Sequence, residues 1–144
     1  MSEMNFKNIH IGELIEKRVF ETQTGILRIT NFLNCTEEEI KIMYKEKDQK
    51  TETLLRWSKL LDYDFFRIYT QHLILYAPQG DNNFKTNLTA ESKLPVFRKN
   101  IYTKEVIEFI LKLITTGEKT KSQILTEYQI PKTTLYKWIK KYRV

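Results

Sequence analysis

The chain reads as all-α, built from two small helical modules joined by a linker. Three observations lead there. Apolar residues recur at i, i+3, i+4 and i+7 through most of the chain, which is the spacing of one helix face. Only 4 Gly and 3 Pro occur in 144 residues, too few for the turns of an all-β chain. Lys, Glu, Leu and Ile are abundant, and that composition suits helices.

The N-terminal module, residues 1–78, shows five helical patterns. Ile11, Leu14, Ile15 and Val19 make the first stripe. Ile26, Ile29 and Leu33 make the second, opened by Gly25, and Asn34-Cys35 then breaks the chain. Thr36 followed by Glu39 is a capping box, which starts a third helix carrying Ile40, Met43 and Tyr44. Thr51 or Thr53 starts a fourth, with Leu54, Leu55, Trp57 and Leu61. Asp64 caps a fifth, with Phe65, Ile68, Tyr69, His72, Leu73 and Tyr76 at helical spacing and Phe66 and Ile74 widening the stripe.

Residues 79–100 are expected to be a linker. Gln79-Gly80-Asp81-Asn82-Asn83, Thr86-Asn87 and Leu94-Pro95 are turn formers among few apolar residues, although Phe84, Leu88, Val96 and Phe97 could dock on a neighbour. Residues 101–144 form a three-helix module. Thr103 caps its first helix, Val106, Phe109, Ile110, Leu113 and Ile114 face inward, and Gly117 ends it. A short helix near Thr120 to Tyr128 follows, then a turn at Gln129-Ile130. Pro131 is expected at or near the first position of the last helix, where its missing N–H costs least.

Charge separates the two halves. Residues 1–78 hold 11 Lys or Arg and 12 Asp or Glu, whereas residues 79–144 hold 13 and 6. Such asymmetry implies an acidic partner for the second half, nucleic acid first. No run of 18 apolar residues exists, so no membrane span is expected, and no secretion signal is visible. The single Cys35 excludes an internal disulfide and fits a reducing, cytoplasmic setting. Cys35 lacks the partners of a nucleophile. His10 and His72 lack ligand spacing, and Asp62 and Asp64 read as a turn followed by a cap. No Gly-rich phosphate loop is present. The expectation is no catalysis, no metal and no cofactor.

The last helix carries the functional signal. Leu135, Trp138, Ile139 and Tyr142 form its apolar stripe, and Lys132, Thr133, Tyr136, Lys137, Lys140 and Lys141 fall largely opposite. From Tyr128 to Val144 there are five Lys or Arg and no Asp or Glu. A solvated helix face is the plain alternative. The hydroxyl cluster near the helix start and the absence of acids instead suit phosphate oxygens and base edges of duplex DNA. The expected DNA-binding set is Lys121, Lys132, Thr133, Thr134, Tyr136, Lys137, Lys140, Lys141 and Arg143.

Two resemblances follow from these residues. Lys121 to Tyr142 resembles the helix-turn-helix of insertion-sequence transposases, especially their first-frame DNA-binding proteins, and is similar to pipsqueak-type domains. The likeness rests on Tyr128, on Ile130-Pro131-Lys132-Thr133-Thr134-Leu135-Tyr136 and on Trp138-Ile139-Lys140. It implies that Lys132, Thr133, Thr134, Tyr136 and Lys137 face the groove while Leu135, Trp138 and Ile139 are core. The N-terminal module resembles the Cro/repressor type, on Ile11-Gly12-Glu13-Leu14-Ile15, on Ile29 to Leu33, and on Glu52-Thr53-Leu54-Leu55 with Ser58-Lys59-Leu60-Leu61. It departs from that type in the third helix, where Thr36-Glu37-Glu38-Glu39 would set three carboxylates against phosphates. Each such like-charge contact costs on the order of 1 kcal/mol even in high dielectric. Residues 1–78 are therefore read as a unit that pairs subunits or recruits a partner. Phe66, Tyr69 and Tyr76 are its interface candidates, since aromatic residues are enriched at interfaces.

Three functions stay open on the sequence. One is element-end recognition beside a separate catalytic transposase chain. The second is transcriptional regulation with the same helix-turn-helix; both imply a nucleoid-associated protein. The third is an adaptor whose basic helix docks an acidic protein surface.

Overall fold

The computed structural model describes residues 3–77, 93–95 and 101–143. Among them are eight helices and no strand, so the fold is all-α. The helices are α1 (Ile11–Thr22), α2 (Ile26–Leu33), α3 (Glu37–Lys45), α4 (Thr51–Leu61), α5 (Phe66–Tyr76), α6 (Lys104–Thr115), α7 (Lys121–Glu127) and α8 (Lys132–Tyr142). No helix of the described residues is long and apolar enough to cross a membrane. Most of the expected linker, with Phe84, Leu88, Val96 and Phe97, lies outside the described residues. The chain divides into two compact units, Asn5–Thr70 and Gln71–Val144 with Met1–Met4.

In the first unit, α1 packs on α3 and α4, and α2 on the same two helices. The Ile11 and Gly12 amides donate to the Lys47 and Glu46 carbonyls at 3.0 and 3.1 Å, so the chain after α3 caps the start of α1. The approach is close because residue 12 is glycine. A Cβ there would lie 2.5 Å from the carbonyl oxygens of Met43, Tyr44 and Glu46. Ile11, Ile15, Ile29, Ile40, Trp57 and Phe65 are buried. Each such side chain contributes about 1.5–3 kcal/mol by leaving water. The Thr36–Glu39 capping box forms as expected, with the Glu39 carboxylate accepting from the Thr36 amide at 2.7 Å. Asn34, in the left-handed region, ends α2. The Arg56 guanidinium of α4 donates to the Leu33 carbonyl at 3.1 Å and to that of Phe32, closing the end of α2.

The helix α5 departs from its expected stripe. Asp64 accepts from the Phe66 amide at 3.1 Å, as a cap should. The buried residues are then Phe65, Ile68, Gln71, Ile74 and Leu75, while Leu73 and Tyr76 are exposed. The inward face turns because the second half of α5 belongs to the other unit. Gln71, 2% exposed, donates from Nε2 to the Ile101 carbonyl at 2.9 Å and accepts the Thr103 amide at 3.1 Å. The division between the two compact units thus falls at Gln71, inside a helix.

In the second unit Val106, Ile110, Leu111, Leu113, Ile124, Ile130, Leu135 and Trp138 are buried beside Ile74 and Leu75. Thr103 accepts from the Val106 amide and starts α6, and Gly117, at φ 75°, follows its end. The Tyr102 ring meets Trp138 edge-on at 4.9 Å, and α6 packs on α8.

Candidate nucleic-acid interface

The site is the pair α7 and α8 with the turn between them. Thr120 caps α7, accepting from the Gln123 amide at 3.2 Å, while the Gln123 carboxamide oxygen accepts from the Thr120 amide at 2.8 Å. In the turn, Gln129 takes φ 51° and Ile130 is buried. Pro131 stands at the N-cap of α8, next to its first position, with φ −58° and ψ 136°. Proline's fixed φ suits that place, and no backbone donor is lost inside the helix.

The faces of α8 separate cleanly. Leu135 and Trp138 are buried and Ile139 is half-buried. Tyr142, expected on the same stripe, is 39% exposed, because it occupies the last turn of the helix. Lys132, Thr133, Tyr136, Lys137, Lys140, Lys141 and Arg143 are exposed, whereas Thr134 is half-buried. Lys121 of α7 joins this surface. Its Nζ lies 5.6 Å from the Tyr136 ring centroid, and that of Lys132 lies 5.8 Å from the same ring. Tyr136 therefore draws together the starts of both helices through cation–π attraction.

Ion pairing distinguishes this surface from α6 and the loop after it. Lys104 pairs with Glu108 at 3.6 Å, Lys112 with Glu3 at 3.2 Å, and Lys119 with Glu127. The Glu127 bond raises the Lys119 pKa and keeps that lysine charged. Lys121, Lys132, Lys137, Lys140, Lys141 and Arg143 form no ion pair with any described residue. No described carboxylate neutralises their charge, so their heads can meet anions without breaking such a pair.

The first unit differs. It holds 11 Lys or Arg and 11 Asp or Glu, against 13 and 7 in the second. Glu37, Glu38 and Glu39 stand exposed at the start of α3, and Lys41 pairs with Glu37 at 3.4 Å. Phe66 and Tyr69 are half-buried, whereas Tyr76, the third interface candidate, falls in the second unit, exposed, with its ring 5.2 Å from that of His72. Burial raises the Tyr69 phenol, and Asp48 adds to the effect. Sequence reasoning overlooked Phe20 and Leu27, which are 84% and 75% exposed around the α1–α2 turn. Their signal was available, since each lies one position off its helix's buried stripe. Cys35 is half-buried, and burial raises its thiol pKa, which disfavours the thiolate. His10 is a helix cap, its Nδ1 accepting from the Glu13 amide at 3.2 Å.

Comparison with family models, with curated proteins and with solved structures finds no match.

Proposed function

We propose that this protein binds double-stranded DNA without catalysing a reaction on it. In this reading α7 and α8 act as a helix-turn-helix, with α8 in the major groove and α7 bracing it against the backbone. One observation carries the proposal: six cations gather on one exposed helical surface with no ion pair to a described residue, while the lysines of α6 and of the loop after it are paired. The resemblance to first-frame transposase proteins favours recognition of element ends for a separate catalytic chain. Control of transcription would use the same surface.

The first unit is proposed to pair two copies of the chain. Its charges balance, so two copies meet there without net repulsion, and Phe20 and Leu27 offer apolar area. Pairing would place two reading helices on two half-sites and raise avidity.

The test is fluorescence-anisotropy binding of the full chain to a random-sequence duplex pool across a salt series. Affinity is expected to fall steeply with salt, because each phosphate contact releases counterions. Lys137→Glu with Lys140→Glu is expected to weaken binding at least about a hundredfold, since each reverses a positive charge on the surface that faces the DNA. Glu37→Ala with Glu38→Ala is expected to leave binding intact or slightly stronger. Loss of binding in the glutamate variant, at unchanged helix content, would move the site to the first unit. No binding by the native chain even at low salt would favour the adaptor reading, with α8 on an acidic protein surface.

A further inference from the structure

The outward face of α8 is rich in donors and poor in acceptors. It presents Lys132, Thr133, Tyr136, Lys137, Lys140 and Lys141, with no Asn, Gln, Asp or Glu anywhere in the helix. Ammonium groups only donate, and each hydroxyl donates one bond and can also accept, so the hydroxyls tolerate either partner while the lysines demand an acceptor. Among the polar side chains of α7, Gln123 already uses its carboxamide oxygen on the Thr120 amide. Glu127 is held by Lys119, and Glu118 accepts the Thr116 hydroxyl at 3.1 Å.

Base edges in the major groove differ in what they ask of such a face. Guanine offers two adjacent acceptors, N7 and O6. Adenine pairs an acceptor with a donor, and cytosine offers a donor. An ammonium placed against adenine N7 would meet the N6 amino group, and against cytosine it would meet N4. We infer that α8 selects guanine on the strand it contacts, read by Lys137 and Lys140, with thymine, an acceptor bearing a methyl group, as its tolerated neighbour beside Thr133. Lys121 and Lys132, gathered on the Tyr136 ring, serve the phosphates on either side. The inference rests on the DNA-binding reading above and adds the bases that it prefers.

Selection from a random-sequence duplex pool with the full chain, followed by atom replacement in the selected site, tests this. Guanine is expected to be enriched at the contacted positions. Replacing each contacted guanine by 7-deazaguanine, which lacks N7, is expected to cost about tenfold in affinity. Replacement by inosine, which keeps N7 and O6 and loses only the minor-groove amino group, is expected to cost little. Lys137→Gln, at an exposed position, supplies a donor and an acceptor together and is expected to move the preference at one position towards adenine. Enrichment of adenine or cytosine would overturn the inference while leaving DNA binding in place. So would equal affinity for all duplexes with no response to 7-deazaguanine. No binding to any duplex at low salt would overturn both.

Discussion

The two units use one set of devices for different ends. Each opens a short helix with a threonine capping box, Thr36 in the first and Thr120 in the second. Each sets a tryptophan against a tyrosine: Trp57 lies 6.0 Å from Tyr44, and Trp138 lies 4.9 Å from Tyr102. The difference lies in charge and in closeness of packing. The first unit is neutral and draws backbone against backbone at Gly12. The second carries the whole positive excess of the chain, and the cations of α8 pair with no described carboxylate. Packing explains the first unit's helices, whereas along α8 only Lys140 and Lys141, in the last turn, favour the helix dipole. A cation that pairs with no described carboxylate is the feature that points outward to a ligand.

The largest expected effect tests the packing side. Gly12→Ala would drive a methyl group into three backbone carbonyls, which have no rotamer by which to yield. Helix α1 must then shift away from α3, at a cost of about 3 kcal/mol by overpacking. Because each unit holds one tryptophan, the units can be followed separately. In a Trp138→Phe background, urea unfolding monitored by Trp57 should show the loss. In a Trp57→Phe background, the Trp138 signal should move little when Gly12→Ala is added. Equal losses in both signals would merge the units into one cooperative body and end the comparison.

A smaller effect tests the boundary. Gln71→Ala removes the partner of both the Ile101 carbonyl and the Thr103 amide. Leaving part-buried backbone groups unpaired costs on the order of 2 kcal/mol. That loss should register in the Trp138 signal and hardly in that of Trp57. The opposite pattern would return the second half of α5 to the N-terminal unit.

These two positions also mark where sequence reading stops. The caps at Thr36, Asp64 and Thr103 were legible, because a cap and the amides it satisfies lie within three residues of each other. The apolar face of α8 was legible for the same reason: its period is a property of one helix. Gln71 was not. Its partners lie 30 and 32 residues away, and a glutamine in an amphipathic helix ordinarily faces water. Gly12 looked like any residue on an N-terminal turn, and only the end of α3 shows what its missing side chain permits. At the candidate site, the sequence named the cations, while their freedom from carboxylates and the meeting of Lys121 with Lys132 on Tyr136 needed the fold.

The smallest expected effect sharpens the contrast in charge, because it compares one device in two electrostatic settings. Removing a threonine N-cap costs about 0.5–2 kcal/mol. At α3, Thr36→Ala would leave Glu37, Glu38 and Glu39 in the first turn, where carboxylates still favour the positive end of the helix dipole. At α7, Thr120→Ala would leave a seven-residue helix with no acid in its first turn and Lys121 at its start, a like charge facing that same end. The α7 change should therefore lie near about 1.5 kcal/mol and the α3 change near about 0.5 kcal/mol. The Trp138 and Trp57 signals in the single-tryptophan backgrounds report them separately. Raising salt should narrow the gap, since screening weakens the dipole contribution. A gap of the opposite sign would mean that α3 does not rely on its glutamates for its own start, and it would reopen the case for those carboxylates meeting a cationic partner. With the expected sign, the two units divide consistently: acids in the first unit hold a helix start, and cations in the second stand at a helix start that gains nothing from them.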